Sequence, residues 1–167
     1  MIPNVATHTT WTPPHNPWYK VNVDGAVFQH LDAVGIGVVA WDHSGQCMVA
    51  MSKKLWVPLG PLEAEAKAME EGIDFAWDVG LRDVVFETDF ELLHRSLTGS
   101  ITPPATIQNI VNSCIMRLQD FRAVQLTHIR RNGNKPAHLL SQHAKGLETF
   151  ATWIENIESA LTQDVLF

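Results

Sequence analysis

Three acidic residues occupy positions where the sequence pattern does not favour an ordinary surface role. Asp24 ends the alternating run "YKVNVD" and is followed by glycine, and Asp89 ends the apolar run "VVFETD". Glu65 comes three residues after Leu62 and four before Met69, inside the apolar stripe of a predicted helix. A carboxylate in such a stripe costs free energy unless another group compensates it. These acids are therefore the first candidates for chemistry.

Each acid has a simpler explanation when it is considered alone. Asp24 and its glycine could begin a turn, and Asp89 could cap the helix that follows it. Glu65 could reach water at the edge of the stripe or pair with a buried arginine. Together, however, the three form a plausible carboxylate cluster, because α/β proteins bind ligands at the carboxyl ends of strands. Clustered like charges need cations, and oxygen ligands suit Mg²⁺ or Mn²⁺, which in pairs promote phosphoryl displacement.

The elements that must position these acids follow a mixed pattern of strands and helices. Three strand-like runs come first, and the turn residues "WDHSGQ" join the last two as a hairpin. A helix then begins at Pro61 and ends at Gly80. A short apolar strand, two helices (89–98 and 105–120), another strand, a last helix and an amphipathic stretch (148–162) follow. This order predicts a mixed α/β sheet with helices on both faces.

Length and composition predict a single globular domain. The chain has 167 residues, of which 46% are hydrophobic and 18% charged. We assign the domain to residues 18–162, between a flexible N-terminal segment (1–17) rich in Pro, Thr and His and a C-terminal tail (163–167). The two cysteines are far apart and lack metal-binding spacing, which indicates reduced thiols.

The location and partners are constrained by charge and hydropathy. No apolar run approaches the roughly 20 residues that span a bilayer, and no secretory signal is recognisable. We therefore expect no membrane partner and an intracellular location, in the nucleus or the cytoplasm. The net charge of −6 argues against tight non-specific binding of nucleic acid, although it allows a local basic strip.

Four motifs in this order resemble type 1 ribonuclease H: "VNVDGA", "AEAKA" with a later glycine, "ETD", and "HIRRNGNKPAHLLSQHA". The resemblance covers roughly residues 18–147. More narrowly, the chain is similar to plant ribonuclease H-like domains, found alone or at the end of non-LTR retroelement reverse transcriptases. The resemblance implies a five-stranded mixed sheet in the order 3-2-1-4-5, with the first three strands antiparallel. It also implies Mg²⁺-dependent cleavage of the RNA strand of RNA/DNA hybrids.

The resemblance also implies roles for individual residues. Asp24, Glu65 and Asp89 match the metal-binding, catalytic acids of the family, and Asp24 would bridge two metal ions at the end of the central strand. The last helix of the family usually opens with Asn, three residues and Asp, whereas here Asn134 is followed at that spacing by His138. We predict His138 as a fourth metal ligand and catalytic residue. An imidazole ligand suits Mn²⁺ better than Mg²⁺.

Contacts to an RNA/DNA hybrid are predicted from position, because such binding needs backbone donors and cations along a groove. The region "LTGSITPPATIQN" contains no Lys or Arg, so we expect weak affinity. We expect a monomer, alone or as part of a longer reverse transcriptase polyprotein. The candidate nucleic-acid-binding residues are Gly25, Ala26, Arg130, Arg131, Asn134 and Lys135.

Several other residues are assigned to the fold. We expect His128 on a strand and His143 packed in the core, and we expect Trp41, Trp56 and Trp77 to pack in the core rather than stack on bases.

Two further hypotheses stay open beside an active hybrid-specific ribonuclease. One is a non-catalytic nucleic-acid-binding or interaction domain with the same fold, and the other is a different metal-dependent nuclease on the same scaffold. The three acids favour catalysis, because a binding module has no need of the costly Glu65.

Overall fold

The first three strands form an antiparallel meander, as their alternation and turn residues predict. In this computed structural model, which describes residues 10–153, Asp42 closes the second turn by accepting hydrogen bonds of 2.9 Å from the backbone N–H groups of Ser44 and Gln46. The three strands are β1 (Tyr19–Phe28), β2 (Ala33–Trp41) and β3 (Cys47–Leu55).

The rest of the chain adds helices, the parallel strands β4 and β5, and a short antiparallel strand, β6. The first helix begins at Pro61, and Gly80 follows its end with φ of +92°, as predicted. The elements are α1 (Pro61–Asp78), β4 (Asp83–Thr88), α2 (Glu91–Leu97), α3 (Gln108–Leu118), β5 (Ala123–His128), α4 (Lys135–His143) and β6 (Phe150–Trp153).

The sheet has the order β5-β4-β1-β2-β3-β6, with β4 parallel to β1 and β5 parallel to β4. The predicted order 3-2-1-4-5 is therefore confirmed, but the sheet has six strands rather than five. The additional strand β6 lies within the stretch predicted as amphipathic (148–162) and pairs antiparallel with β3. It covers an edge of β3 that would otherwise present unpaired backbone groups. Residues 154–162 of that stretch lie outside the described part of the chain.

Helices cover both faces of the sheet. Three helices, α1, α2 and α3, cover one face and enclose the larger core, which includes Val21, Val23, Met69 and Ile73, each at most 1% exposed. Helix α4 covers β1, β2 and β3 on the other face. A smaller apolar cluster there contains Val39, Ala50, Ala137 and Leu140.

Helix α4 lies unusually close to β2. A Cβ atom on Gly37 would lie 2.0 Å from the carbonyl oxygen of Ala137, and one on Gly35 would lie 2.1 Å from that of Ser141. Only glycine leaves space for backbone at these distances. The two glycines thus fix how near α4 approaches the sheet.

Residues 10–17 lie against the sheet. The ammonium group of Lys20 donates a 2.6 Å hydrogen bond to the carbonyl oxygen of Thr12, and the rings of Trp11 and Trp41 pack with centroids 5.1 Å apart. The proposed domain boundary at residue 18 stays a prediction, and residues 1–9 lie outside the described part of the chain. No helix within residues 10–153 is long and apolar enough to cross a membrane.

Some predicted core positions are at the surface. Trp56 is 60% and Trp77 39% exposed, and each ring carries a cation instead of packing fully, Lys54 over Trp56 and Arg82 over Trp77. His143, predicted in the core, is exposed at the end of α4 and packs against Trp153. His128 ends strand β5, as predicted.

Candidate metal centre

The parallel pairing of β1 and β4 brings two of the predicted acids together. Asn22 on β1 pairs with Glu87 on β4, and the residues two positions further along each chain are Asp24 and Asp89. The pairing stops at Asn22, although β1 continues to Phe28. We predicted that Asp24 ends its strand, but it lies within β1, because β2 continues to pair with β1 beyond it.

Helix α1 brings the third acid to the same place. A Cβ atom on Gly25 would lie 2.6 Å from the carbonyl oxygen of Ala64, so the glycine allows the strand to approach the first turns of α1. The backbone N–H of Gly25 also hydrogen-bonds to the carboxyl group of Glu65. One carboxylate oxygen from each of Asp24, Glu65 and Asp89 lies within 4.8 Å of the others.

The three acids are crowded in a region with little solvent. Asp24 is 3% and Glu65 7% exposed, and Asp89 is half-buried. Burial, with the charges of Asp24 and Asp89, raises the pKa of Glu65 to about 10. Burial and the charge of Asp24 also raise the pKa of Asp89. Without a cation, the cluster therefore holds a proton on Glu65 at neutral pH.

The surroundings of one oxygen of Glu65 indicate which kind of ion suits this cluster. Glu65 Oε2 is buried and receives no hydrogen bond within residues 10–153, whereas the carboxyl group of Glu65 contacts that of Asp24. A buried carboxylate oxygen without a partner is costly, and a divalent cation would compensate both the missing partner and the crowded charge. The donor set consists of hard carboxylate oxygens, which fit Mg²⁺ or Mn²⁺.

Helix α4 presents two side chains to Asp24. Nδ1 of His138 and Oγ of Ser141 each lie 3.0 Å from Asp24 Oδ2, and the one hydroxyl proton of Ser141 is shared between Asp24 and the carbonyl oxygen of His138, which lies 2.7 Å away. A proton on Nδ1 makes the His138 contact a hydrogen bond and leaves Nε2 as the nitrogen able to bind a metal. His138 thus contacts Asp24, but it is not among the residues whose ligand atoms all lie within 4.8 Å of one another, which in residues 10–153 are Asp24, Glu65 and Asp89.

A buried network of polar side chains lies behind the acids. Asn134, fully buried, donates from Nδ2 to the carbonyl oxygen of Val23 (3.0 Å), and its side chain also hydrogen-bonds to the carboxyl group of Asp89. Asn22 donates to Asn134 Oδ1 at 3.0 Å. Asn134 was predicted to contact nucleic acid, but its burial assigns the side chain to this network instead.

Sequence reasoning missed Ser141 and Asn22. Ser141 lies three residues after His138 on a predicted helix, and Asn22 lies two residues before Asp24 on a predicted strand. Both spacings put the residue on the same face as its functional neighbour, and that was the available signal.

The other predicted nucleic-acid contacts fall into two groups. Arg130, Arg131 and Lys135 are exposed beside the start of α4, and the charge of Arg131 acts to lower the pKa of Asp89. Ala26 is only 6% exposed, so its side chain is not accessible, and Gly25 is half-buried against α1.

The chain has a ribonuclease H-like fold, which comparison with solved structures confirms. The chain is similar to RNase H1 from Halobacterium salinarum, with a TM-score of 0.72, 21% identity, and coverage of 77% of this chain and 97% of that one. It is also similar to the metagenomic LC11-RNase H1 in complex with an RNA/DNA hybrid, with a TM-score of 0.68, 20% identity, and coverage of 75% and 95%.

The chain belongs to the reverse transcriptase-like family, whose model matches residues 22–144. It is 27% identical, over 98% of its length, to an Arabidopsis thaliana protein provisionally named ribonuclease H. The chain spans about 27% of the length of that relative. The resemblance to type 1 ribonuclease H is therefore confirmed at the level of family and fold.

The crowding of the acids predicts how stability depends on pH when divalent ions are removed with a chelator. Folded Glu65, with a pKa near 10, keeps a proton that the unfolded chain releases near 4.5. The free energy of unfolding should therefore fall as pH rises through this window. Glu65→Gln removes this loss, so the stability gained by the variant should grow by at least about 1 kcal/mol between about pH 5 and pH 8 in urea titrations.

Glu148→Gln makes the same chemical change at an exposed site and is the matched control. It should leave the pH dependence of the parent unaltered. A Glu65→Gln variant whose stability parallels that of the parent at every pH would contradict the crowded, protonated cluster.

Proposed function

We propose that this domain is a ribonuclease H-type nuclease that hydrolyses the RNA strand of RNA/DNA hybrids with divalent metal ions. The observation that carries the proposal is the crowding of three carboxyl groups, among which the buried Oε2 of Glu65 receives no hydrogen bond from the described part of the chain. A domain that only binds nucleic acid gains nothing from this costly arrangement. The ribonuclease H-like fold and the ribonuclease H names of the relatives support the same reaction class.

Asp24, Glu65 and Asp89 would hold the ions, and His138 would add a fourth ligand through Nε2. Bound Mg²⁺ or Mn²⁺ ions supply a water nucleophile and stabilise the leaving oxygen of the phosphodiester. The chain itself keeps the ligands in place. Ser141 and His138 hold one oxygen of Asp24, and the backbone of Gly25 holds Glu65.

The exposed cations beside α4 would bind the substrate. Arg130, Arg131 and Lys135 lie on the loop and first turn that precede His138, where they can contact backbone phosphates. Such contacts read the shape of a hybrid rather than its sequence. LC11-RNase H1, a structural relative, has been solved with an RNA/DNA hybrid, which supports this class of substrate.

Cleavage of labelled RNA/DNA hybrid, duplex RNA and duplex DNA, each with Mg²⁺ or Mn²⁺, tests the function. We expect cleavage of the RNA strand of the hybrid only. Loss of an outer-shell partner typically costs 10- to 100-fold in a metal site, so loss of a direct ligand in Asp24→Asn should reduce the rate by more than about 100-fold. The variant should keep the parent's circular dichroism spectrum.

The matched control is Asp120→Asn, which makes the same change at an exposed position between α3 and β5. It should cleave like the parent. Full activity in Asp24→Asn would remove the acids from catalysis, and a parent that binds but never cleaves the hybrid would favour the binding-domain hypothesis.

His138 predicts a preference between metals. An imidazole brings no negative charge to a second ion and is a softer ligand than carboxylate, so Mn²⁺ should support more cleavage than Mg²⁺ at equal concentration. His138→Asp adds that charge and should raise Mg²⁺-dependent cleavage by about tenfold. It should also lower the melting temperature without metal, because it adds a carboxylate beside Asp24.

His143→Asp is the control, since it adds a carboxylate to the exposed end of the same helix. It should change neither cleavage nor the preference between metals. If His138→Asp and His138→Ala both match the parent in titrations of each ion, His138 is not a ligand and the centre has three.

A further inference from the structure

Trp11 lies outside the part of the chain that the family model matches, yet it hydrogen-bonds into the network behind the acids. We propose that Trp11 is a positioning residue: its indole N–H supplies the donor that buried Asn22 Oδ1 needs, and so stabilises the orientation of Asn22 and Asn134 that keeps an NH₂ group facing Asp89. This inference rests on the metal centre of the proposed function.

The first step is the bond from Trp11 to Asn22. Nε1 of Trp11 lies 3.0 Å from Asn22 Oδ1, and an indole N–H can only donate. The ring is held by Trp41, with centroids 5.1 Å apart, and by Lys20, whose Nζ lies 5.4 Å from the ring centroid. Lys20 also holds the carbonyl of Thr12, the next residue. The indole N–H of Trp11 is therefore held in one position, where it can only donate a hydrogen bond.

The second step is the orientation of the Asn22 amide. Asn22 is 2% exposed, and its Nδ2 donates to Glu87 Oε1 at 2.9 Å and to Asn134 Oδ1 at 3.0 Å. Rotating the amide by 180° would point its NH₂ group at the indole N–H of Trp11 and its oxygen at two acceptor oxygens. The rotated amide would therefore place a donor against a donor and an acceptor against acceptors in a buried site, which is costly.

The third step passes this polarity to Asp89. Asn134 Oδ1 is taken by Asn22, so the NH₂ group of Asn134 faces the carbonyl of Val23 and the carboxyl group of Asp89. If Asn134 were rotated, its oxygen would face both acceptors. The hydrogen bonds that run from Trp11 through Asn22 to Asn134 thus support the hydrogen bond that Asp89 receives from Asn134.

Trp11 supports this arrangement from its outer end. Glu87 and the carbonyl oxygen of Val23 already favour it, because each accepts a hydrogen bond from an amide NH₂ group. Trp11 supplies the hydrogen bond that Asn22 Oδ1 receives from a donor other than an amide within residues 10–153. Without the indole N–H, Asn22 Oδ1 would lose that donor in a buried site.

The test compares two conservative variants of the packed pair. Trp11→Phe keeps a ring against Trp41 and removes the donor. Trp41→Phe removes an indole N–H from the same pair, but Nε1 of Trp41 has no hydrogen-bond partner within residues 10–153. The two readouts are the side-chain amide resonances of Asn22 and Asn134 in the full metal-free chain, and the dissociation constant for Mn²⁺.

We expect Trp11→Phe to shift the amide resonances of both Asn22 and Asn134 and to raise the Mn²⁺ dissociation constant by about tenfold, as for loss of an outer-shell partner. Trp41→Phe, which keeps a ring against Trp11 and leaves its indole N–H in place, should change both much less. Unchanged Asn134 resonances in Trp11→Phe, or equal changes in the two variants, would overturn the inference. If the parent binds no Mn²⁺ but the amide resonances still shift in Trp11→Phe, the proposed metal centre is overturned. The hydrogen-bond network from Trp11 to Asn134 would then stand without it.

Discussion

Repulsion among three carboxyl groups is the constraint on which the rest of this structure depends. One oxygen from each of Asp24, Glu65 and Asp89 lies within 4.8 Å of the others, and two of the residues are almost fully buried. The folded chain bears this cost by holding a proton on Glu65 or by binding a cation. Around the acids, donors from Ser141, Asn134 and the backbone of Gly25 are arranged so that each carboxyl group receives at least one hydrogen bond.

The fold brings the acids together by backbone geometry. The parallel register of β1 and β4 sets Asp24 beside Asp89, and Gly25 lets β1 approach α1 closely enough to add Glu65. On the other face, Gly35 and Gly37 let α4 lie against β2. This close approach brings His138 and Ser141 of α4 into contact with Asp24. Because each approach involves backbone contact, substitution of these glycines would move a ligand as well as lower stability.

The sequence predicted the three acids because each broke a local pattern: Asp24 and Asp89 followed strand-like runs, and Glu65 interrupted an apolar stripe. The strand order came from the resemblance to a family, since periodicity carries no information about which strands pair. Strand β6 was missed because only four residues alternate, and its pairing with β3 is a tertiary contact. Burial of Asn134 and exposure of Trp56 were also not predictable, because both depend on elements distant in sequence.

The most direct test of the central claim is the anomalous scattering of crystals grown or soaked with Mn²⁺. The account predicts a manganese peak within coordination distance of oxygens from Asp24, Glu65 and Asp89, with Glu65 Oε2 among the ligands. A map with no manganese at the acids of an ordered, Mn²⁺-saturated crystal would contradict it, because the cluster would then be a protonated structural feature rather than a metal centre.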